Sequence, residues 1–349
     1  MMGATVAEPK PKEKVLTAKD FASDQEVRWC PGCGDYSILK QMQKVLPTLG
    51  IPKEDFVIIS GIGCSGRLPY YMDTFGMHSI HGRATAIASG LKATRPELSV
   101  WIVSGDGDSL SIGGNHLIHL LRRNFDTNIL LFNNKIYGLT KGQYSPTSEE
   151  QKITKSTPMG SIDHPFNPVR LASGAEGTFI ARSMDRDPKH LQAMMKRSHE
   201  HKGASFLEIY QNCNIFNDGA FEVYTGKETR VDEALYLEDG QPLIFGKEKN
   251  KGIHLDGLKP EVVELGSDYS TDDLWVHDEK DTFKSQMLVN FFDDPTIEDH
   301  LPRPFGVFCD LYRPTYEDQL NEQIALAKEQ KEADLDRLLE GKQTWTISA

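Results

Sequence analysis

Three short apolar runs limit what this chain can fold into more than anything else in it: FVIIS at 56–60, SVWIVSG at 99–105 and NILLFNN at 128–134. Each is continuous rather than alternating, as a strand buried on both faces requires. Stretches with helical spacing separate or flank them: YSILKQMQKVL (36–46), RATAIASGLKAT (83–94) and NHLIHLLRRN (115–124). The series continues through TFIARS (178–183), the helix PKHLQAMMKRSHEH (188–201) and the strand SFLEIYQ (205–211). Such alternation specifies an α/β fold, a mainly parallel sheet with helices on both faces. Its ligand should sit beyond the carboxyl ends of the strands.

Past residue 215 the pattern changes. ALYLEDGQPLIFG (234–246) reads as a hairpin turning at Asp239-Gly240. TYEDQLNEQIALAKEQKEADLDRLLEGK (315–342) reads as a long, charged surface helix. The polar, proline-containing start predicts a flexible arm over residues 1–25. The chain is therefore expected to divide into this arm, a ligand-binding domain over 26–215 and a C-terminal extension over 216–349. A net charge of −12 speaks against a nucleic-acid binder that works by neutralising phosphates. No apolar run approaches the roughly 18 residues of a membrane span. The start has no apolar signal core, and five cysteines make no paired framework. A cytoplasmic protein is expected, with cysteines that bind metal or react.

Two glycine-rich loops compete as phosphate sites. Gly61-x-Gly63-x-x-Gly66 follows the first strand, but RLPYY continues it poorly as a helix. No acidic residue stands where a dinucleotide fold needs one, so a tight turn is the better expectation. The second loop carries more information. Gly105-Asp106-Gly107 follows one strand and Asn133-Asn134 the next, with Asp106 and Asn134 28 positions apart. One strand–helix–strand unit fills that distance, so both emerge at the same sheet edge. A carboxylate and an amide oxygen there suit Mg²⁺, which keeps water and phosphate oxygens as its other ligands. Gly107 and Gly113-Gly114 let a diphosphate approach the backbone.

The segment resembles the thiamine-diphosphate signature, Gly-Asp-Gly followed later by Asn-Asn. With HSIHGRATAIASGLKATRP and IYGLTKGQYSPTS, the resemblance covers roughly residues 27–215. As a whole it resembles the β subunit of the 2-oxoacid:ferredoxin oxidoreductases, most closely the 2-oxoglutarate type. The resemblance implies a thiamine-diphosphate-binding fold with Asp106, Asn134 and the carbonyl of Ile136 holding Mg²⁺. Gly63, Cys64, Ser65, His81, Gly82, Arg83, Gly105, Gly107, Asp108, Leu139 and Thr140 would border the cofactor.

RWCPGCGD (28–35) carries Cys30 and Cys33 two residues apart. A disulfide exchanger would follow a strand, and the sequence upstream is polar; a zinc site would ordinarily need a second pair. The family resemblance instead implies a [4Fe–4S] cluster on Cys30, Cys33, Cys64 and Cys213. Cys309 is left as a buried free thiol.

By the same resemblance the reaction is the oxidative decarboxylation of a 2-oxoacid to an acyl-coenzyme A, with electrons passing through the cluster to ferredoxin. The glutamate that activates thiamine lies on a second domain in such enzymes. The resemblance therefore implies an α subunit carrying the pyrimidine-binding half, in an α₂β₂ assembly. The extension over 216–349 would contact that subunit or cover the cluster. Arg67 and Lys141 are candidate carboxylate partners, which favours 2-oxoglutarate, and His81 is a candidate catalytic group. The alternatives are a pyruvate or broad-specificity enzyme and a cluster-free thiamine-dependent decarboxylase subunit.

Overall fold

The computed structural model describes residues 15–292, 296–297, 300–330, 334–345 and 347. Its elements in chain order are α1 (Asp35–Val45), β1 (Phe56–Ser60), β2 (Phe75–His78), α2 (Ala84–Thr94), β3 (Ser99–Gly105), α3 (Asp106–Leu110) and α4 (Gly114–Arg123). There follow β4 (Thr127–Asn133), α5 (Pro168–Gly174), β5 (Phe179–Met184), α6 (Pro188–Glu200) and β6 (Ala204–Tyr210). The C-terminal third adds β7 (Ala234–Tyr236), β8 (Ile244–Phe245), β9 (Lys251–Asp256), β10 (Lys259–Glu264), β11 (Arg303–Asp310) and the helix Tyr316–Gln330.

One eight-stranded sheet runs in the order β2-β1-β3-β4-β6-β5-β11-β7. The pairings from β2 through β5 are all parallel. β11 turns the direction, antiparallel to β5, and β7 lies parallel to it. Every residue of β4, β5 and β6 is buried, as their mainly apolar sequences suggest, with Arg182 and Glu208 buried as a pair. One face carries α2, α4 and α5, whose Ala88, Leu117 and Ala172 pack on Ile102 and Ile129. The other carries α1 and α6, whose Met42 and Met195 pack on Trp101, Leu130 and Leu207. Side chains of this size, fully buried, each contribute about 1.5–3 kcal/mol. α6 starts where Asp187 accepts the His190 N–H and Pro188 fills the first turn.

Strand order fixes the place of the site. After β1 the chain leaves to one face, where Leu68 and Tyr71 join the α1/α6 core. After β3 it leaves to the other face through α4, whose Leu117 and Leu120 join the opposite core. The neighbouring connections diverge, and a crevice opens between β1 and β3 at their carboxyl ends.

Three expectations change. The arm over 1–25 is packed in its second half: Phe21 is fully buried, edge-on to Phe56, and Ala22 bridges Met72. Residues 1–14 of that arm lie outside the described residues. The hairpin forms at Asp256-Gly257, joining β9 to β10, and not at Asp239-Gly240. There β7 pairs in parallel with β11 and β8 belongs to a separate antiparallel sheet, β10-β9-β8. Finally, the sheet does not end at residue 215, because the extension supplies β7 and β11.

Candidate active site

A partly open cleft lies at the β1/β3 crevice. The turn after β1 gives it Gly63, Cys64 and Ser65, and the start of α3 gives it Gly105, Asp106, Gly107 and Asp108. The segment after β4 gives Asn134, Ile136, Leu139 and Thr140, and His81 borders it too. Residues far apart in sequence converge because each follows a strand of the same parallel sheet.

Asp106 is 2% exposed, and its Oδ2 accepts from Ser145 Oγ at 2.5 Å and Thr147 Oγ1 at 2.6 Å. Burial raises its carboxyl above the ordinary value, and the two hydroxyls pull it back. A carboxylate held this way is short of positive charge. Thr147 also reaches Asn133 Oδ1 at 2.9 Å, so this hydroxyl ties the two strand ends together. Asn134 Nδ2 donates to Gln211 Oε1 at 2.8 Å, while its Oδ1 accepts from the Ile136 N–H at 3.2 Å.

Two glycines are required here. Gly63 has φ +128 and nothing within 4 Å of where a Cβ would stand, so its open face is available to a ligand. At Gly107 a Cβ would lie 2.2 Å from the Tyr137 ring, whose hydroxyl donates to the Gly107 carbonyl at 3.0 Å.

Several candidates serve the loop more than the cleft. Asp108 Oδ1 lies 2.5 Å from His81 Nδ1 and accepts from the Gly82 N–H at 2.8 Å. Its Oδ2 accepts from Ser104 Oγ at 2.8 Å. It therefore pins the His81–Gly82 turn. Gly82 packs on Gly113, and Arg83 points its guanidinium at the carbonyls of His81, Gly82 and Ile112; neither residue lines the cleft. Lys141 is exposed on a left-handed turn at φ +77 and is not a lining residue either. Arg67 borders the adjoining pocket with Arg28, Tyr70 and His78, and donates to the Arg28 carbonyl at 3.0 Å.

The four cysteines Cys30, Cys33, Cys64 and Cys213 assemble beside this cleft. Among the described residues no strand precedes the Cys30–Cys33 turn; it is held by Gly34, whose N–H donates to the Asn212 carbonyl at 3.1 Å. Trp29 Nε1 donates to the Cys64 carbonyl at 2.7 Å, joining that turn to the one after β1. The sulfurs of Cys213 and Cys64 lie 3.4 and 3.7 Å from where a Cβ of Gly138 would stand. Burial pushes the Cys64 thiol up to about 12, helped by Asp35, Cys213 and Cys30, with Arg67 opposing. Burial raises Cys33 and Cys213 as well, with Asp35 contributing to both. Asp35, fully enclosed and near Asp185, is itself raised to about 7 by burial first. Cys309 stands apart on β11, 3% exposed, as expected of a free core thiol.

These donor sets fit the groups the sequence implies. Buried thiols and carboxyls facing one another need added positive charge before the sulfurs ionise, which iron supplies. Asp106 and Asn134 offer hard oxygens beside an open glycine turn, as Mg²⁺ with a diphosphate requires. Among the described residues no three His, Cys, Asp or Glu side chains converge on a single metal ion. Tyr137, Ser145, Thr147 and Asp35 lie within the quoted motif segments but were not singled out there, and Gln211 lies outside them; the folded chain shows their place beside the cleft.

Residues 61–209 match the family model described as thiamine pyrophosphate enzyme, C-terminal TPP binding domain. The fold and cleft thus define a thiamine-pyrophosphate-binding domain. The chain is 51% identical to the 2-oxoglutarate oxidoreductase subunit KorB of Mycobacterium tuberculosis, over 94% of this chain and 88% of the relative. It is 37% identical to the 2-oxoacid:ferredoxin oxidoreductase 1 subunit beta of Aeropyrum pernix, over 74% and 80% of the two. The solved 2-oxoglutarate:ferredoxin oxidoreductase of Magnetococcus marinus, with 2-oxoglutarate, coenzyme A and succinyl-CoA bound, aligns with a TM-score of 0.72 at 30% identity, covering 94% of this chain and 96% of that one. The chain belongs to the β subunits of the 2-oxoacid:ferredoxin oxidoreductases.

Proposed function

We propose that this chain is the β subunit of a 2-oxoglutarate:ferredoxin oxidoreductase, which releases CO₂ from the 2-oxoacid, joins the acyl group to coenzyme A and passes two electrons to ferredoxin. The observation that carries the proposal is the meeting of the Asp106/Asn134 oxygens and four thiols at one crevice. A decarboxylase without electron transfer has no use for those thiols. When bound, thiamine diphosphate supplies a nucleophilic carbon and an electron sink, and a [4Fe–4S] cluster accepts electrons singly.

Asp106, Asn134 and the Ile136 carbonyl would hold Mg²⁺, and the amides around Gly107 and Gly63 would receive the diphosphate. Cys30, Cys33, Cys64 and Cys213 would hold the cluster. Asp108 keeps His81 turned toward the cleft. Arg67 sits in the pocket next to it, where a guanidinium can grip a distal carboxylate in bidentate fashion. The partner α subunit would complete the cofactor site in an α₂β₂ complex, and the extension over 216–349 would add to that contact. A cytoplasmic setting suits these free thiols, and among the described residues no helix is long and apolar enough to cross a membrane.

The test is anaerobic purification with the partner subunit. About four iron and four sulfide per chain are expected, with ferredoxin reduction that needs both 2-oxoglutarate and coenzyme A. Cys64→Ser should lose most of the iron while leaving thiamine diphosphate bound. Folded protein with zinc or no metal would overturn the proposal. Arg67→Ala should lower kcat/KM for 2-oxoglutarate relative to pyruvate by on the order of tenfold or more, the loss of a charge-assisted pair. An unchanged ratio would remove Arg67 from substrate choice.

A further inference from the structure

Gln211 lies just past β6, 1% exposed, between the two donor sets. Its N–H donates to the Asn133 carbonyl at 2.8 Å, which fixes the backbone. Its Nε2 donates to the Asn212 carbonyl at 2.9 Å and lies 3.2 Å from Cys33 Sγ. Its Oε1 accepts from Asn134 Nδ2 at 2.8 Å. A peptide carbonyl can only accept, so Asn212 determines which end of this amide is nitrogen. The rest follows in order. With Nε2 toward Asn212 and Cys33, Oε1 must face Asn134. Asn134 must then offer its nitrogen to Gln211 and turn its oxygen the other way.

We propose that Gln211 is a positioning residue shared by both cofactor sites, orienting the Asn134 oxygen toward Mg²⁺ and donating an N–H to the Cys33 sulfur. The inference rests on the functional proposal above. An N–H donor at a cluster sulfur favours the reduced, more negative state, so it raises the potential of the cluster. The same amide would thus tune the electron acceptor and hold the ligand of the diphosphate metal. Its two ends can be separated by substitution. Gln211→Leu removes both bonds. Gln211→Glu keeps an oxygen for Asn134 but loses the donor to sulfur and adds negative charge beside it.

Both variants would be made in the complex with the partner subunit and purified anaerobically. The cluster's midpoint potential is read by EPR-monitored titration, and thiamine diphosphate affinity at fixed Mg²⁺ by calorimetry. Gln211→Leu should lower the potential and weaken cofactor binding by about tenfold or more, the cost of losing an outer partner of a metal ligand. Gln211→Glu should lower the potential further while binding the cofactor much as the parent does. Parental potentials in both variants, each with its full iron content, would overturn the inference and leave the functional proposal standing. A parent complex without iron would instead sink the functional proposal, and this inference with it.

Discussion

Asp106→Asn should yield a folded protein that no longer responds to thiamine diphosphate and Mg²⁺. The two side chains have the same shape, and the asparagine oxygen can accept from the Ser145 and Thr147 hydroxyls as the carboxylate does. What disappears is the negative charge, buried at 2% exposure, where it has no cationic side chain as partner in its hydrogen bonds. Removing a buried charge that hydroxyls and backbone N–H groups compensate, with no cation bonded to it, relieves a desolvation cost, so the cofactor-free variant should melt close to the parent. Loading reverses the comparison. At a hundredfold excess over Kd, a ligand that binds only the native state adds about 2.7 kcal/mol. The parent should show that gain as a thermal shift and the variant should not. Turnover of the complex should fall by more than about a hundredfold, beyond the upper end of what losing an outer-shell partner costs. A parental thermal shift in the variant would remove Asp106 from the metal site.

Arg182→Met should be the most destabilising single change in the sheet. Arg182 and Glu208 stand on adjacent strands, 1% and 0% exposed, with Nε to Oε2 at 2.7 Å. Arg182 also donates to the Pro304 carbonyl at 3.1 Å, and Glu208 accepts from Asn133 Nδ2 at 2.7 Å. The pair therefore connects β11 to the residue preceding Asn134. Taking the cation away leaves a carboxylate in the core with an amide bonded to it and only the unbonded charge of Arg303 to answer it. Breaking such a pair from one side costs about 3–5 kcal/mol, whereas replacing both members with apolar residues is often neutral. The denaturation midpoint should fall sharply in Arg182→Met and recover in Arg182→Met/Glu208→Leu. Equal losses in the single and double variants would mean that the pair is not the source of the effect.

How much of this was legible beforehand depends on the range over which each residue acts. β1 and β3 were readable to the residue and β4, β5 and β6 to within one, because each is a mainly apolar run among helices, interrupted in β5 and β6 by the paired Arg182 and Glu208. β2, with the sequence FGMH, was missed: it is only four residues long, is interrupted by Gly76, and lies exposed at the sheet edge. β11 was missed because Pro304 and Gly306 look like loop residues. Yet Gly306, at φ +123, is what lets the strand pass Leu237, whose carbonyl lies 2.7 Å from where its Cβ would be. The hairpin went to the wrong Asp-Gly, since two such pairs occur and only tertiary pairing chooses between them. In the site, Asp106 and Asn134 were singled out by their places after two strands, whereas the set of four cysteines came from the family resemblance and not from spacing. Lys141 was misplaced, because its turn follows Asn134 in sequence but carries the side chain outward. Ser145 and Thr147 lie in the quoted IYGLTKGQYSPTS segment, but their bonds to Asp106 cross the fold, as those of Gln211 to Asn134 do, so the sequence alone did not single them out.

The late arrival of β11 has a consequence in time. β5 and β6 leave the ribosome with β5 as an open edge, and the strand that covers it comes only after the whole intervening antiparallel unit. Pairing across so long a stretch of chain is slow, and an unpaired hydrophobic edge is prone to join the wrong neighbour. The nascent chain therefore passes through a stage in which all four cysteines proposed to hold a cluster have been made but the sheet beneath them is still unfinished. Under that proposal, delivery of the cluster would have to wait for, or tolerate, that stage, so the order of synthesis would set the earliest moment at which the chain can safely receive it.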